Sequence, residues 1–188
     1  MGNNRHYPSG YEKTEYPDIN AEIAMKDLVV MGFRGKRSKP DFHLEFRTHE
    51  RRDKYIQDFL TGVESSLMAR TERKEKNRKE KQEFLNQLIP GTILYSSWGY
   101  DQTNVNFYQV IKINGQKITM CEICKISVEG SEGFMSDKVV AAKNSFMVNN
   151  DDNAKEFTRM AQAGYVKMHD SANAYLWDGR PLYRSWYA

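Results

Sequence analysis

The sequence predicts an α+β fold in which a long charged helix is followed by a small antiparallel β-barrel of the SH3-like type with one short helix. Three observations carry this prediction. Apolar residues recur at helical spacing after residue 47, the period changes to two after Pro90-Gly91, and short strands separated by turn signals follow. The 188 residues then divide into a polar segment with a short strand, the helix and the barrel, at 1–46, 47–89 and 90–188.

The composition excludes a fully disordered chain and a membrane span. The 11 Tyr, 9 Phe and 3 Trp supply buried area that a disordered chain lacks. No run of about 18 apolar residues exists, so no membrane partner is expected. The first residues lack the apolar core of a secretory signal, and the chain has only 2 Cys. These features predict a reducing, cytoplasmic location.

The first segment carries weak structural signals. Residues 1–22 are polar and are expected to be loosely ordered. A short apolar strand or helix turn is expected around 28–31. Alternating apolar side chains over 42–46 predict a strand with one apolar face. Its other face is solvated and carries His43 and Glu45.

The predicted helix has recognisable ends and an unusual middle. Thr48 is a suitable N-cap, and Pro90-Gly91 stops the helix. Residues 69–83 contain no large apolar side chain, so this stretch must project into solvent or contact a partner. Gly62 and the pair Ser65-Ser66 are the positions where a break is expected, if there is one.

The charge excess of the chain, a net +3, lies between residues 47 and 87, which hold eleven basic and eight acidic residues. Two interpretations stay open. The interleaved acids favour a solvated helix stabilised by pairs such as Glu72–Lys76. The alternative is an arm that follows nucleic-acid phosphates. The candidate binding residues of this arm are Arg70, Arg73, Lys74, Arg78 and Lys81.

Beyond the helix the pattern is that of short strands. The predicted strands cover 92–98, 105–113, 117–126, 139–148, 165–169, 173–177 and 181–187. Asn114-Gly115 predicts a two-residue hairpin turn. Residues 149–164 predict the short helix, with Asp151 or Asp152 as its cap and Gly164 at its end.

The segment SSWGYDQTN, residues 96–104, joins two of these strands and combines aromatic with hydrogen-bonding side chains. In one interpretation the two rings stack on a base or a partner ring, and the polar side chains form hydrogen bonds. In the other it is a tight loop whose polar groups cap the backbone while the tryptophan seals the barrel. The candidate binding residues are Trp98, Tyr100, Asp101, Gln102 and Asn104.

The sequence predicts no metal site, no cofactor and no catalytic group. Cys121 and Cys124 lie within one predicted strand, and their odd spacing turns them to opposite faces. No further pair completes the four ligands of a structural zinc site. An enzyme, for example a hydrolase or nuclease using Asp101, His43 or Glu45, is the least supported function, because no acid, base and orienting group stand at a recognisable spacing.

Three stretches resemble uncharacterised proteins of bacteriophages and related mobile elements. They are an SSWGYDQTN-x-xFYQV motif at 96–110, a charged region with an F-R-[ST]-x-E-R-R pattern at 39–60, and a closing W-D-G-[KR]-P segment at 177–181. The three stretches are distributed along residues 39–188. The resemblance implies a phage origin and a small accessory or anti-defence role, and it implies no reaction.

The leading hypothesis is therefore a non-enzymatic phage accessory protein that binds a host macromolecule in the bacterial cytoplasm. Its partner would be a host protein, such as a defence complex, which it would inhibit in an anti-CRISPR-type manner. The alternative is a nucleic-acid-binding accessory protein that uses the basic helix and the Trp98/Tyr100 loop. Phe84, Leu85 and Leu88, near the helix end, also suit a homodimer.

Overall fold

One long helix and antiparallel strands make up the described part of the chain, residues 5–148 and 154–187 of a computed structural model. The α+β class is thus confirmed. The chain separates into two compact units, residues 1–74 and 75–188. The helix α1, His49–Gln87, contributes residues to both units. The boundaries predicted at residues 46 and 89 stay a prediction.

The first unit contains a four-stranded antiparallel sheet in the order β1-β2-β3-β4. Its strands are β1 Glu12–Tyr16, β2 Ala21–Lys26, β3 Val29–Arg34 and β4 Phe42–Glu45. Residues 12–16 were expected to be loosely ordered, but they pair along their whole length with β2. The ambiguous signal around 28–31 is the second half of a β2–β3 hairpin, and the predicted 42–46 strand is β4.

Aromatic side chains form the core of this unit. Phe33 is fully buried, and the Tyr7 ring lies edge-on to it at 5.7 Å between centroids. Phe42 packs edge-on against Tyr55 and Phe59 of α1, at 4.9 Å in each case. The helical spacing of Tyr55 and Phe59 therefore serves to cover β4.

The helix begins where its sequence predicts, and it is continuous from His49 to Gln87. Thr48 Oγ1 accepts the Arg51 N–H at 3.3 Å, which satisfies one of the unpaired donors of the first turn. The helix is unbroken at Gly62, which has open space around it.

The middle of α1 is solvent-accessible, since every residue from 64 to 79 is exposed. Lys76 pairs with Glu80 at 3.8 Å, whereas the predicted Glu72–Lys76 pair does not form. Such exposed pairs contribute little to stability.

The second unit is built on eight further strands. They are β5 Ile93–Trp98, β6 Asn104–Asn114, β7 Lys117–Ser127, β8 Ser136–Phe146, β9 Glu156–Met160, β10 Val166–His169, β11 Ala172–Leu176 and β12 Leu182–Ser185. The sheet order is β10-β11-β5-β6-β7-β8-β12, and β9 pairs with β7. Among the described strands this order gives no closed barrel, so the predicted SH3-like barrel is not confirmed.

The predicted short helix over 149–164 is wrong, because residues 156–160 are β9. Its proposed caps, Asp151 and Asp152, lie outside the described residues. Phe157 of this strand packs edge-on against Tyr108 at 5.8 Å between centroids. The pairing with β7 is non-local and overrides the helical pattern.

The β6–β7 hairpin forms as predicted, but its turn lies one residue further along. Asn114 pairs with Lys117, so the turn residues are Gly115 and Gln116. Gly115 has a φ of 58°, a conformation that glycine adopts without steric cost.

The second sheet is buried on both faces. One cluster contains Leu94, Tyr108 and Met120 together with Phe84 from α1 and Leu88, the residue that follows it. Adjacent residues of β6 point to opposite faces, so the cluster around Phe107 covers the other side. Phe84 and Leu88, which suited a homodimer in sequence, are each only 4% exposed. A dimer through the helix stays a prediction, and it would have to use other side chains.

Candidate functional site

The first unit contains a groove of about 450 Å³ lined by four basic side chains. Arg34 ends β3, Lys36 and Arg37 belong to the following turn, and Arg70 projects from α1. Val63 and Leu67 supply its apolar wall. The groove therefore combines positive charge with the concave shape of a binding site.

One carboxylate orients two of these guanidinium groups. Asp41 Oδ1 accepts Arg34 Nη2 and Arg37 Nη1, each at 2.9 Å. Burial raises the pKa of Asp41, but hydrogen bonds from Arg34 and the charges of both arginines outweigh it, so the pKa lies below its usual range. One carboxylate therefore pairs with two of the four basic side chains, and the positive charges of the groove outnumber this negative charge.

A second ion pair holds the turn in place from the other side. The Arg5 guanidinium pairs with the Glu22 carboxylate, and both side chains are at least nine-tenths buried. Arg5 also donates to two carbonyls of the turn, at 2.5 Å to Gly35 O and 2.9 Å to Arg37 O. The turn that carries Lys36 and Arg37 is thus fixed before any ligand binds, which lowers the entropy cost of binding.

Most of this groove was not predicted from the sequence, although the sequence contains a signal for it. Four basic residues occur within 34–39, but the acids elsewhere in 1–46 balance them in the segment total. Counted separately from the rest of the segment, residues 34–39 form a basic cluster. The inclusion of Arg70 depends on α1 packing, which no local pattern shows.

The structure places the five basic helix candidates in different surroundings. Arg70 lies in the groove, and Arg73 and Lys74 follow it as exposed residues of the first unit. Arg78 and Lys81 belong to the second unit, where Lys81 Nζ donates to Gln116 Oε1 at 3.2 Å. Of the five, Arg70 lines the groove of the first unit.

The loop over 96–104 has a partly structural role. Trp98 Nε1 donates to Asn106 Oδ1 at 2.8 Å, and the Trp98 ring lies edge-on to His169 at 5.2 Å. Gly99 has a φ of 130°, and a Cβ there would overlap the Gln102 carbonyl oxygen. The glycine of the motif is therefore required by the backbone.

The remaining loop residues separate into anchored and free side chains. Gln102 Nε2 donates to Asn104 Oδ1 at 3.2 Å, so these two amides hold each other. Tyr100 is completely exposed, and Asp101 is exposed beside it. The ring of Tyr100 is available for stacking, as the binding interpretation requires.

The closing W-D-G-[KR]-P segment forms a turn between β11 and β12. Trp177 Nε1 donates to Arg180 O at 2.8 Å, and Asp178 Oδ1 accepts the Arg180 N–H at 3.0 Å. The Trp177 ring packs on Phe107 at 5.2 Å. This segment therefore has a structural explanation.

The groups considered for chemistry lie on different elements. Asp101 lies in the 96–104 loop of the second unit, and His43 and Glu45 lie on β4 of the first. Within residues 5–148 and 154–187, no three His, Cys, Asp or Glu side chains are grouped so as to hold a metal ion. Both cysteines are free thiols, and burial raises the pKa of Cys121.

Within residues 5–148 and 154–187, no helix has the length and apolar character needed to span a membrane.

Comparisons of the chain with protein-family models, with curated proteins and with solved structures found no match.

Proposed function

We propose that this is a non-enzymatic accessory protein of phage origin that acts by binding a macromolecule, and that the macromolecule is nucleic acid. The observation that carries the proposal is the groove of the first unit, which four basic residues line: Arg34, Lys36, Arg37 and Arg70. The Asp41 carboxylate pairs with two of them, Arg34 and Arg37. Arginine and lysine side chains bind phosphate oxygens through charge-assisted hydrogen bonds. Because Arg5 fixes the turn, the cations are held in position for a phosphate backbone.

Aromatic exposure in the second unit supports the same function. Tyr100 is fully exposed and Trp98 is 36% exposed. Such rings stack on unpaired bases without regard to sequence, as they do in proteins that bind single strands.

The structure of α1 favours a host protein as a second candidate partner. The stretch from 64 to 79 is exposed on all sides and mixes both charge signs. A mixed-charge surface suits electrostatic pairing with a protein, as an anti-defence inhibitor would need. Stoichiometric recovery of a host protein in a pulldown would support this candidate, and recovery that persists in nuclease-treated lysate would separate it from bridging by nucleic acid.

We also propose an SH3-like arrangement for the second unit. Its support is an isolated bridge between Ala161 and Val166, which links the end of β9 to the start of β10. The Ala161 N–H also donates to Gln116 O at 2.9 Å. Backbone NOEs extending along β9 and β10 would support a closed barrel, and their restriction to this one bridge would argue for an open sheet.

Salt dependence tests nucleic-acid binding directly. We expect the full chain to bind a labelled single strand of about 20 nucleotides, measured by fluorescence anisotropy. With about four phosphates neutralised, log K should fall against log salt with a slope of roughly −3, because each contact releases part of a counterion. Affinity should then fall by roughly 50-fold between about 50 and 200 mM salt.

The double variant Lys36→Glu/Arg37→Glu should weaken binding at least about tenfold and reduce the slope by about one or more. The control is Lys112→Glu/Lys117→Glu, the same charge change in the β6–β7 hairpin of the second unit. A flat salt dependence, or an equal loss in the control, would contradict the role of the groove.

A further inference from the structure

We propose that the second unit carries a separate binding site for a nucleotide unit, in a groove of about 270 Å³ between β6, β7 and β12. The site would hold a phosphate between Lys125 and Arg184 and place the attached base against Trp186. The proposal does not depend on the basic groove of the first unit, since it uses other residues in the other unit.

The groove is formed where two distant stretches of sequence pair. The Thr103 N–H donates to Ser185 Oγ at 3.0 Å, and the Ser185 N–H donates to Thr103 O at 3.0 Å. The Trp186 N–H donates to Met135 O at 3.0 Å. These contacts fix the end of the 96–104 loop beside the C-terminal strand, and Asn104 lines the groove between them. The binding surface is therefore largely pre-formed.

Arg184 is anchored on one side only. Its Nε and Nη2 donate to the two oxygens of Asp137 at 2.6 and 2.8 Å, and Nη2 also donates to Ser127 Oγ at 3.2 Å. Among the described residues, Nη1 has no hydrogen-bond partner. The guanidinium is held by a buried carboxylate, and its Nη1 N–H groups can donate hydrogen bonds to a second anion.

Lys125 brings a second positive charge to the same groove. Its Nζ donates to Val105 O at 2.6 Å, which leaves two further N–H donors. The pKa of Lys125 is lowered by partial burial and by repulsion from the charge of Arg184, and the charges of Glu122 and Asp137 oppose this in part. A phosphate between them would replace this repulsion with attraction and would engage donors from both side chains.

Trp186 supplies the flat surface that distinguishes a nucleotide from a simple anion. Its ring lies 5.4 Å from the Arg184 guanidinium carbon and is 42% exposed at the groove. Stacking of a base on an aromatic ring is worth about 1–3 kcal/mol. The Asn104 amide adds hydrogen-bonding capacity at the edge of the groove.

The test titrates the full chain with adenosine 5′-monophosphate, with adenosine, and with a 5′-phosphorylated oligonucleotide, followed by ¹H–¹⁵N NMR of the indole N–H groups. Trp186→Phe assigns the Trp186 signal. We expect the monophosphate or the oligonucleotide to shift this signal, and adenosine to bind at least about tenfold more weakly, because it lacks the phosphate. Binding of the monophosphate identifies a free nucleotide as the ligand, and binding of the oligonucleotide alone identifies a strand.

Lys125→Met should reduce the affinity at least about tenfold, and Lys125→Arg should retain most of it, since it keeps the charge. The matched control is Lys112→Met, on an exposed part of β6 outside the groove. The double variant Lys36→Glu/Arg37→Glu should leave the Trp186 shift unchanged, which separates this site from the proposed function. No shift with either phosphorylated probe, equal binding of adenosine, or an unchanged affinity in a folded Lys125→Met variant would overturn the proposal.

Discussion

We expect Gly32→Ala to destabilise the first unit by about 3 kcal/mol. Gly32 pairs with Phe42 across β3 and β4, and a Cβ added at Gly32 would lie only 2.6 Å from Cζ of the Phe42 ring. The ring cannot move aside at low cost, because Tyr55 and Phe59 each contact it edge-on at 4.9 Å. The sheet would have to separate from the helix to accommodate one methyl group.

The matched control is the same substitution in α1 of the same unit. Gly62 is exposed in the helix and has no atom within 4 Å of an added Cβ. Gly62→Ala should therefore stabilise the helix by about 0.5–1 kcal/mol, the usual difference between glycine and alanine in a helix. Urea unfolding followed by circular dichroism measures both variants. Equal effects of the two substitutions would show that the contact with Phe42 is not what makes Gly32 necessary.

We expect Asp137→Asn to cost the second unit about 3 kcal/mol at neutral pH. Asp137 is 5% exposed and accepts two hydrogen bonds from Arg184 and one from Ser127 Oγ at 2.6 Å. Removing its charge leaves the Arg184 guanidinium without a compensating anion. The expected cost lies at the lower end of the range for such pairs because 27% of the Arg184 side chain is exposed.

The pH dependence gives this prediction a second readout. Hydrogen bonds from Arg184 are the main reason that the pKa of Asp137 lies below its usual range, and burial opposes them only in part. The carboxylate therefore stabilises the fold fully above its unfolded pKa of about 3.9, and this stability is lost as pH falls through the lower folded pKa. Asparagine does not titrate, so the difference between wild type and variant should shrink below about pH 4.

Unfolding measured by urea between neutral pH and the acid limit would show this convergence. The lowered pKa of Asp41 also makes the first unit acid-sensitive, but that effect is present in both proteins and cancels in the difference. Asp178→Asn serves as the control, because Asp178 pairs with Arg180 at the surface, where such pairs contribute little. A difference between wild type and Asp137→Asn that is constant with pH would contradict the assignment.

Elements with local signals could be predicted from the sequence. Thr48 marks the start of α1 because its side chain reaches a donor three residues away, and the charged middle of the helix is solvated because it has nothing to bury. The β6–β7 hairpin likewise follows from a turn glycine between two β-rich runs. In each case the determining contacts lie within a few residues.

The candidate sites could be predicted only in part, because their residues meet through tertiary packing. Arg70 was a sequence candidate, but its neighbours Lys36 and Arg37 come from a turn more than 30 residues earlier. Lys125 and Arg184 meet only because β7 and β12 both pair with β8. A single sequence contains no periodicity that records such juxtapositions.

The sequence by itself determined the α+β class, the start of the long helix at Thr48 and the positions of most strands, because these depend on side-chain spacing and on local capping. The tertiary structure alone decided that residues 156–160 are a strand, that 12–16 join a sheet, and that each unit has a charged groove. The physical reason is that a strand and a groove are completed by partners far along the chain. Their hydrogen bonds and charges act only once the chain has folded.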